Sequence, residues 1–389
     1  MKYRISLISI FAFLIATLLM WWAWQPNFVS SETPRNAARQ APIAAATPTM
    51  KEPITIAAVG DIMMGSPFPN DSRMPPNDGA DLLRGVTPIL SAADIAFGNL
   101  EGPMVDGGIS QKCPPPEPPG PNSPAAPPKP KMCFAFRVPT RYGKYLQQAG
   151  FDVMSLANNH AGDFGDTGRA STRRTLDQLG IKHAGSDRET FSTAFLEVRG
   201  TKIAVVGFAH NKIVPNVNDL ATARRLVTEA KKKADIVIVS FHGGGEGSDH
   251  QHVIRETEMF AGEPRGNLPL FAHTVIDAGA DLVLGHGPHV MRGMEIYKDR
   301  LIEYSLGNFC TYGWFQLAAE TALTEILEIK LGQDGKFISA KIHGGHQEGR
   351  GGPVLDDTGD SVRKIRSLSL ADFGTSAPKI ADDGMVTPK

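Results

Sequence analysis

Apolar and polar positions follow two rhythms along this chain. Short apolar runs, several rich in β-branched residues, fall at 54–59, 93–98, 152–156, 202–208, 235–241 and 282–284. Their length and composition predict buried strands. Stretches with helical spacing lie between them: 167–179, stopped by Gly180; 219–233, opened by Asp219 as a cap; and 268–278. The runs 194–198 and 202–208 flank an Arg-Gly turn and predict a hairpin. Two later hairpins are predicted, 293–297 with 301–305 and 324–331 with 337–342, the second turning on Asp334 and Gly335. Strand–helix–strand alternation argues for an α/β fold, and the late hairpins add antiparallel strands.

The chain ends read differently. Lys2 and Arg4 precede an uncharged apolar run, 5–24, long enough to cross a bilayer. Trp21, Trp22 and Trp24 close it where aromatic rings favour the headgroup layer. Residues 1–24 therefore read as a single-pass membrane anchor with the body on the extracytoplasmic side. A signal peptide, cleaved to release a secreted body, is the alternative, although the run lacks a small-residue cleavage site. Residues 25–52, rich in Pro, Ala, Ser and Thr, read as a flexible stalk. The folded body is expected over 53–365, with a proline-dense insertion at 113–131 and a flexible tail at 366–389. Cys113 and Cys133 flank that insertion, and a disulfide closing it is expected outside the cytoplasm. Cys310 is left as a buried thiol. A net charge of −1 over 389 residues gives no bulk electrostatic case for a nucleic-acid partner.

Chemistry concentrates where the apolar runs end. The clusters are Asp61; Asn99 and Glu101; Asn158, Asn159 and His160; His242 and Glu246; His286 and His289. One such residue after a strand is ordinarily a turn residue or a cap. Five clusters in succession point to one crevice, because open α/β sheets build sites outside the carboxyl ends of their strands. Asp, Glu, Asn and His are ligands for hard or borderline divalent metals.

The motifs GDIMMG (60–65), GNLEGP (98–103), SLANNHAGDFGDTG (155–168), HGGGEG (242–247), GHGPHV (285–290) and YSLGNF (304–309) occur in that order. Together they resemble the CapA, or PGA-cap, family of capsule and poly-γ-glutamate synthesis proteins. That resemblance implies a four-layer α/β/β/α sandwich like the calcineurin-like metallophosphatases. It implies a divalent cofactor, Mn, Zn or Fe, as one or two ions. The ligands would be Asp61, Glu101, Asn159, His242, His286 and His289, with His160 as the proton donor. Asn99, Asn158, Glu246 and Asn308 would then contact substrate.

Metallophosphatases usually begin D-x-H, whereas Met63 stands two residues after Asp61. One metal, two metals on a different ligand set, and a metal-free crevice all remain open. So do three functions: a metal-dependent hydrolase or transferase acting on an anionic polymer or phosphoester, a non-catalytic polyanion-binding or export accessory working with other capsule-synthesis proteins, and a solute-binding module. Asp163 is expected to hold the Asn-Asn-His loop and Asp166 to cap the following helix. Arg169, Arg173 and Arg174 read as a solvated helix face. His210, His343 and His346 read as lying outside the site, and His250 and His252 as residues of a lid.

Overall fold

The apolar runs fold into two sheets packed face to face, as a computed structural model that describes residues 52–113, 133–315 and 317–389. The expected anchor, nearly all of the stalk and most of the insertion lie outside the described residues. Among the described residues, no helix is long and apolar enough to cross a membrane.

The first sheet starts with β1 (Ile54–Met63), β2 (Ile95–Leu100), β3 (Val153–Ser155) and β4 (Lys182–Ala184), all parallel. Their connections carry α1 (Thr87–Leu90), α2 (Gly143–Ala149) and α3 (Gly165–Gln178). The chain then builds the second sheet from the hairpin β5 (Thr193–Val198) and β6 (Thr201–Ala209), followed by α4 (Leu220–Lys231) and β7 (Ile236–His242). A separate hairpin, β8 (Glu258–Phe260) with β9 (Glu263–Gly266), belongs to neither sheet. After α5 (Leu268–Asp277) come β10 (Leu282–His286), β11 (Met294–Tyr297) and β12 (Arg300–Glu303), giving the order β11-β12-β10-β7-β6-β5. The first sheet is completed by β13 (Asn308–Thr311), parallel to β1, and by β14 (Leu323–Leu331), antiparallel to it. Beyond them lie β15 (Phe337–Glu348), β16 (Gly352–Leu355), α6 (Asp360–Phe373), β17 (Lys379–Ile380) and β18 (Met385–Thr387).

Three apolar layers follow from the strand alternation. Ile54, Ile56 and Ala58 of β1 face Ile236, Ile238, Leu282 and Leu284 between the sheets. Ala57, Val59 and Ile62 point the other way, onto Leu146 of α2 and Leu176 of α3. The outer face of the second sheet packs Val237, Val239 and Phe241 on Val227 of α4 and on Phe271 and Val275 of α5. Each fully buried Val, Leu, Ile or Phe among them contributes about 1.5–3 kcal/mol. The layers are therefore α/β/β/α, as the resemblance implies. Asp219 caps α4, its side chain accepting from Thr222 N at 3.0 Å.

Two expectations are corrected. Residues 366–389 are not a loose tail: they continue α6, and β18 pairs with β15 and buries Val386 in the intersheet core. Composition could not reveal a strand of three residues. Asp166 does not cap α3: Phe164 stands at the cap and Asp166 pairs with Arg169 on the surface.

Candidate metal centre

Parallel pairing aligns the polar strand ends. Asp61 on β1 is in register with Asn99 on β2 and with Asn308 on β13. In the second sheet His242 on β7 faces His286 on β10. Gly60 makes the first alignment possible, because a Cβ there would lie 2.1 Å from the Gly307 carbonyl, which accepts from Asp61 N at 2.9 Å. His289 has φ 58°, an uncommon conformation for a residue with a side chain. Asn308 holds it there, donating to the His289 carbonyl at 3.1 Å while its Oδ1 lies 3.0 Å from His289 Nδ1.

At the centre, ligand atoms of Asp61, Glu101 and His289 all lie within 4.8 Å of one another. Asp61 Oδ2 is 3.0 Å from His289 Nδ1. Glu101 Oε1 is 3.7 Å from His289 Nε2, and 3.8 Å from both His242 Nε2 and His160 Nε2, all beyond hydrogen-bonding range. Asp61 and Glu101 are fully buried. Neither oxygen of Glu101, nor His242 Nε2, nor Asn159 Oδ1 has a hydrogen-bond partner among the described residues. Buried carboxylates left unpaired are costly, and a bound cation removes that cost. The donor set therefore fits a divalent ion.

The electrostatics agree. Burial pushes Glu101 well above the usual carboxylate range, against the pull of His289. For Asp61, burial is outweighed by His289, His286 and Asn99, which hold its carboxyl below that range. Burial alone would lower His289, but Glu101 and Asp61 raise it to about 10. His242 is held well below its ordinary value, by burial and then by the neighbouring His210.

His160 reaches the centre from the loop after β3. Its Nδ1 lies 2.7 Å from Asp163 Oδ2, which leaves Nε2 facing Glu101. Phe136 stacks on the ring with centroids 3.7 Å apart. Asp163 thus holds this loop, as expected, and it also accepts from Phe136 N at 2.7 Å.

Three candidates for substrate contact are scaffold residues instead. Asn99 donates to Asp61 Oδ1 at 2.8 Å, Asn158 donates to the Leu100 carbonyl at 2.9 Å, and Asn308 braces His289; all three are fully buried. Their amides are engaged by Asp61, by the Leu100 carbonyl and by His289. Glu246 does face the open cleft, where Arg265 holds it at 2.8 Å. His286 stands apart from the gathered group: Nε2 is 3.2 Å from the Val59 carbonyl and Nδ1 has no partner among the described residues. Met63 is buried.

A cleft of about 680 Å³ opens above the centre, lined by Asn159, His160, His289, His210, Lys112 and Trp314 among others. His210, read from sequence as outside the site, is here, its Nδ1 3.4 Å from the His242 carbonyl. His250 and His252 are not in the lining: His250 packs edge-on against Phe260, and His252 pairs with Asp372. Sequence reasoning missed Lys112, Phe136, Trp314 and Arg265. For Lys112 and Phe136 the available signal was the cysteine pair: Cys113 and Cys133 form a disulfide, so the residues beside them are pinned to the body.

The model of the family described as "Bacterial capsule synthesis protein PGA_cap" matches residues 55–312. The chain belongs to the PGA_cap family. The matched span holds every ligand candidate of the centre. A "PGA biosynthesis protein CapA" of Bacillus subtilis (strain 168) is 30% identical, over 84% of this chain and 81% of that one. A "Capsule biosynthesis protein CapA" of Bacillus anthracis is 26% identical, over 82% and 73%. Among solved structures, a hypothetical protein from Thermus thermophilus superposes with a TM-score of 0.45 at 15% identity, over 75% of this chain and 99% of that one. The family description makes this PGA_cap chain a member of the bacterial capsule synthesis proteins.

Proposed function

We propose that the PGA_cap body is a metal-dependent hydrolase or transferase that acts on an anionic ester during capsule biosynthesis. The buried, unpartnered oxygens of Glu101, beside Asp61 and His289 at the floor of an open cleft, carry this reading. Asp61, Glu101 and His289 would hold the ion, with His242 Nε2 and Asn159 Oδ1 as the adjoining donors. A bound divalent ion supplies Lewis acidity and an acidified water at such a site. Protonated on both ring nitrogens, His160 would give its Nε2 proton to the leaving oxygen and be left neutral, with Nδ1–H on Asp163 fixing the ring for that transfer. Phe136 stacked on the ring keeps water off one face.

The working location in this reading is the extracytoplasmic side of the membrane. The apolar run at 5–24 and the Cys113–Cys133 disulfide support it, since such bonds persist in oxidising compartments. The polyanion-carrier reading finds less support, because Glu246 and Glu263 put carboxylates on the cleft wall. Metal content and phosphoesterase activity of the purified full-length chain test the proposal. It fails if His160→Ala and Asp61→Asn leave activity and bound metal unchanged.

A further inference from the structure

The wall of the cleft is aromatic from floor to rim. Phe315 packs on His289 with centroids 4.5 Å apart, and Phe136 stacks on His160. Phe136 continues to Trp314 at 4.7 Å, and Trp314 to Phe134 at 6.3 Å. Phe134 is 44% exposed at the rim. The indole Nε1–H of Trp314 is buried with no acceptor among the described residues. Phe260, on the β8–β9 hairpin, adds a further aromatic ring to the lining.

That hairpin is firmly seated. Arg292, fully buried, binds both oxygens of Glu258 at 2.8 Å, and Gly245 N donates to the same carboxylate at 2.7 Å. Among the described residues, the one arginine lining the cleft is already paired. Arg265 is taken by Glu246 at 2.8 Å and Glu263 at 3.3 Å. Lys112 stands 3.3 Å from His160 Nδ1 and 3.7 Å from Asp163 Oδ1, and its side chain is 36% exposed.

From this lining we infer the class of ligand: a small molecule with one compact anionic head, a phosphate ester being the test case, and a flat apolar body. The inference rests on the ester-processing reading above and narrows its substrate. The head meets the ion-binding donors and Lys112. The body lies along the Phe315–Phe136–Trp314–Phe134 wall, where a ring gains stacking as well as burial. The cleft volume suits a ligand of drug or nucleotide size. A run of carboxylates, as in a polyglutamate, would set repeated charges against aromatic rings and against Glu246 and Glu263.

Isothermal titration of the full-length, detergent-solubilised chain loaded with Mn²⁺ tests this, with phenyl phosphate, methyl phosphate and a short γ-linked glutamate oligomer as probes. Phenyl phosphate is expected to bind about tenfold more tightly than methyl phosphate. In Phe315→Ala, and separately in the exposed Phe134→Ser, that ratio falls towards one while methyl phosphate keeps its affinity. Equal affinity for the two esters, or a ratio unmoved in both variants, overturns the inference and leaves the ester-processing reading intact. Tighter binding of the glutamate oligomer than of phenyl phosphate also overturns it. Failure to bind Mn²⁺ and both esters overturns the underlying reading, and this inference with it.

Discussion

Asp163 and His160 form the best-defined pair of the site: Oδ2 lies 2.7 Å from Nδ1, and both side chains are buried. The pair decides which ring nitrogen faces the centre, and it makes Asp163 a positioning residue. Asp163→Asn is expected to keep the fold and the metal but to lower turnover by roughly 10–100-fold, the usual cost of losing such a partner. The readout is kcat against KM, together with the pH profile. Unchanged kcat with a normal profile would remove His160 from the proton-transfer role.

Arg292 and Glu258 seat the β8–β9 hairpin through a buried, two-toothed ion pair. Removing one partner strands a charge in the interior. Arg292→Ala is expected to destabilise the fold by about 3–5 kcal/mol, read by denaturant unfolding. Arg292→Met with Glu258→Gln together should recover much of that loss. A single substitution costing under about 1 kcal/mol would mean that water reaches the pair.

A second buried carboxyl pair gives the protein a pH dependence of its own. Glu303 on β12 and Glu325 on β14 are both fully buried, and neither oxygen of Glu325 has a partner among the described residues. Burial pushes Glu325 up to about 8, and burial followed by the charge of Glu325 holds Glu303 well above the usual range. A carboxyl raised in the folded state favours folding fully below its unfolded value and loses that contribution as pH rises through the folded one. Stability should therefore decline from about pH 4.5 to about pH 8. Glu325→Gln, neutral throughout, is expected to flatten that decline and to melt higher than the parent above pH 8. Parallel melting curves across this range would refute the pairing.

The three cysteines make a sharp chemical test. The unfolded, unreduced protein should titrate one thiol, Cys310, and the reduced protein three. In the folded state Cys310 should resist thiol reagents, because burial pushes it up to about 12. Three reactive thiols before reduction would rule out the Cys113–Cys133 bond.

Much of this was legible in the sequence. The strand ends carrying Asp61, Glu101, His160, His242 and His289 could be read, because parallel strands deliver their carboxyl ends to one edge whatever lies between them. The roles of Asn99, Asn158 and Asn308 could not. An amide looks the same whether it faces a ligand or braces a neighbour, and only the register with Asp61 and the bond to His289 decide it. His210 and the aromatic wall were hidden for another reason: they sit on loops beyond the ends of the periodic runs, where no sequence pattern fixes their direction. The strand at Met385–Thr387 was too short to show a period.

Asp61, Glu101 and His289 are the proposed holders of a divalent ion. Elemental analysis of the purified full-length chain, beside Glu101→Gln and His289→Ala, tests that proposal most directly. The expected result is one or two equivalents of Mn, Zn or Fe in the parent chain, lost from both variants while their folded circular dichroism is retained. A parent chain that takes up no divalent metal when offered it, or variants that bind as much as the parent, would contradict the account.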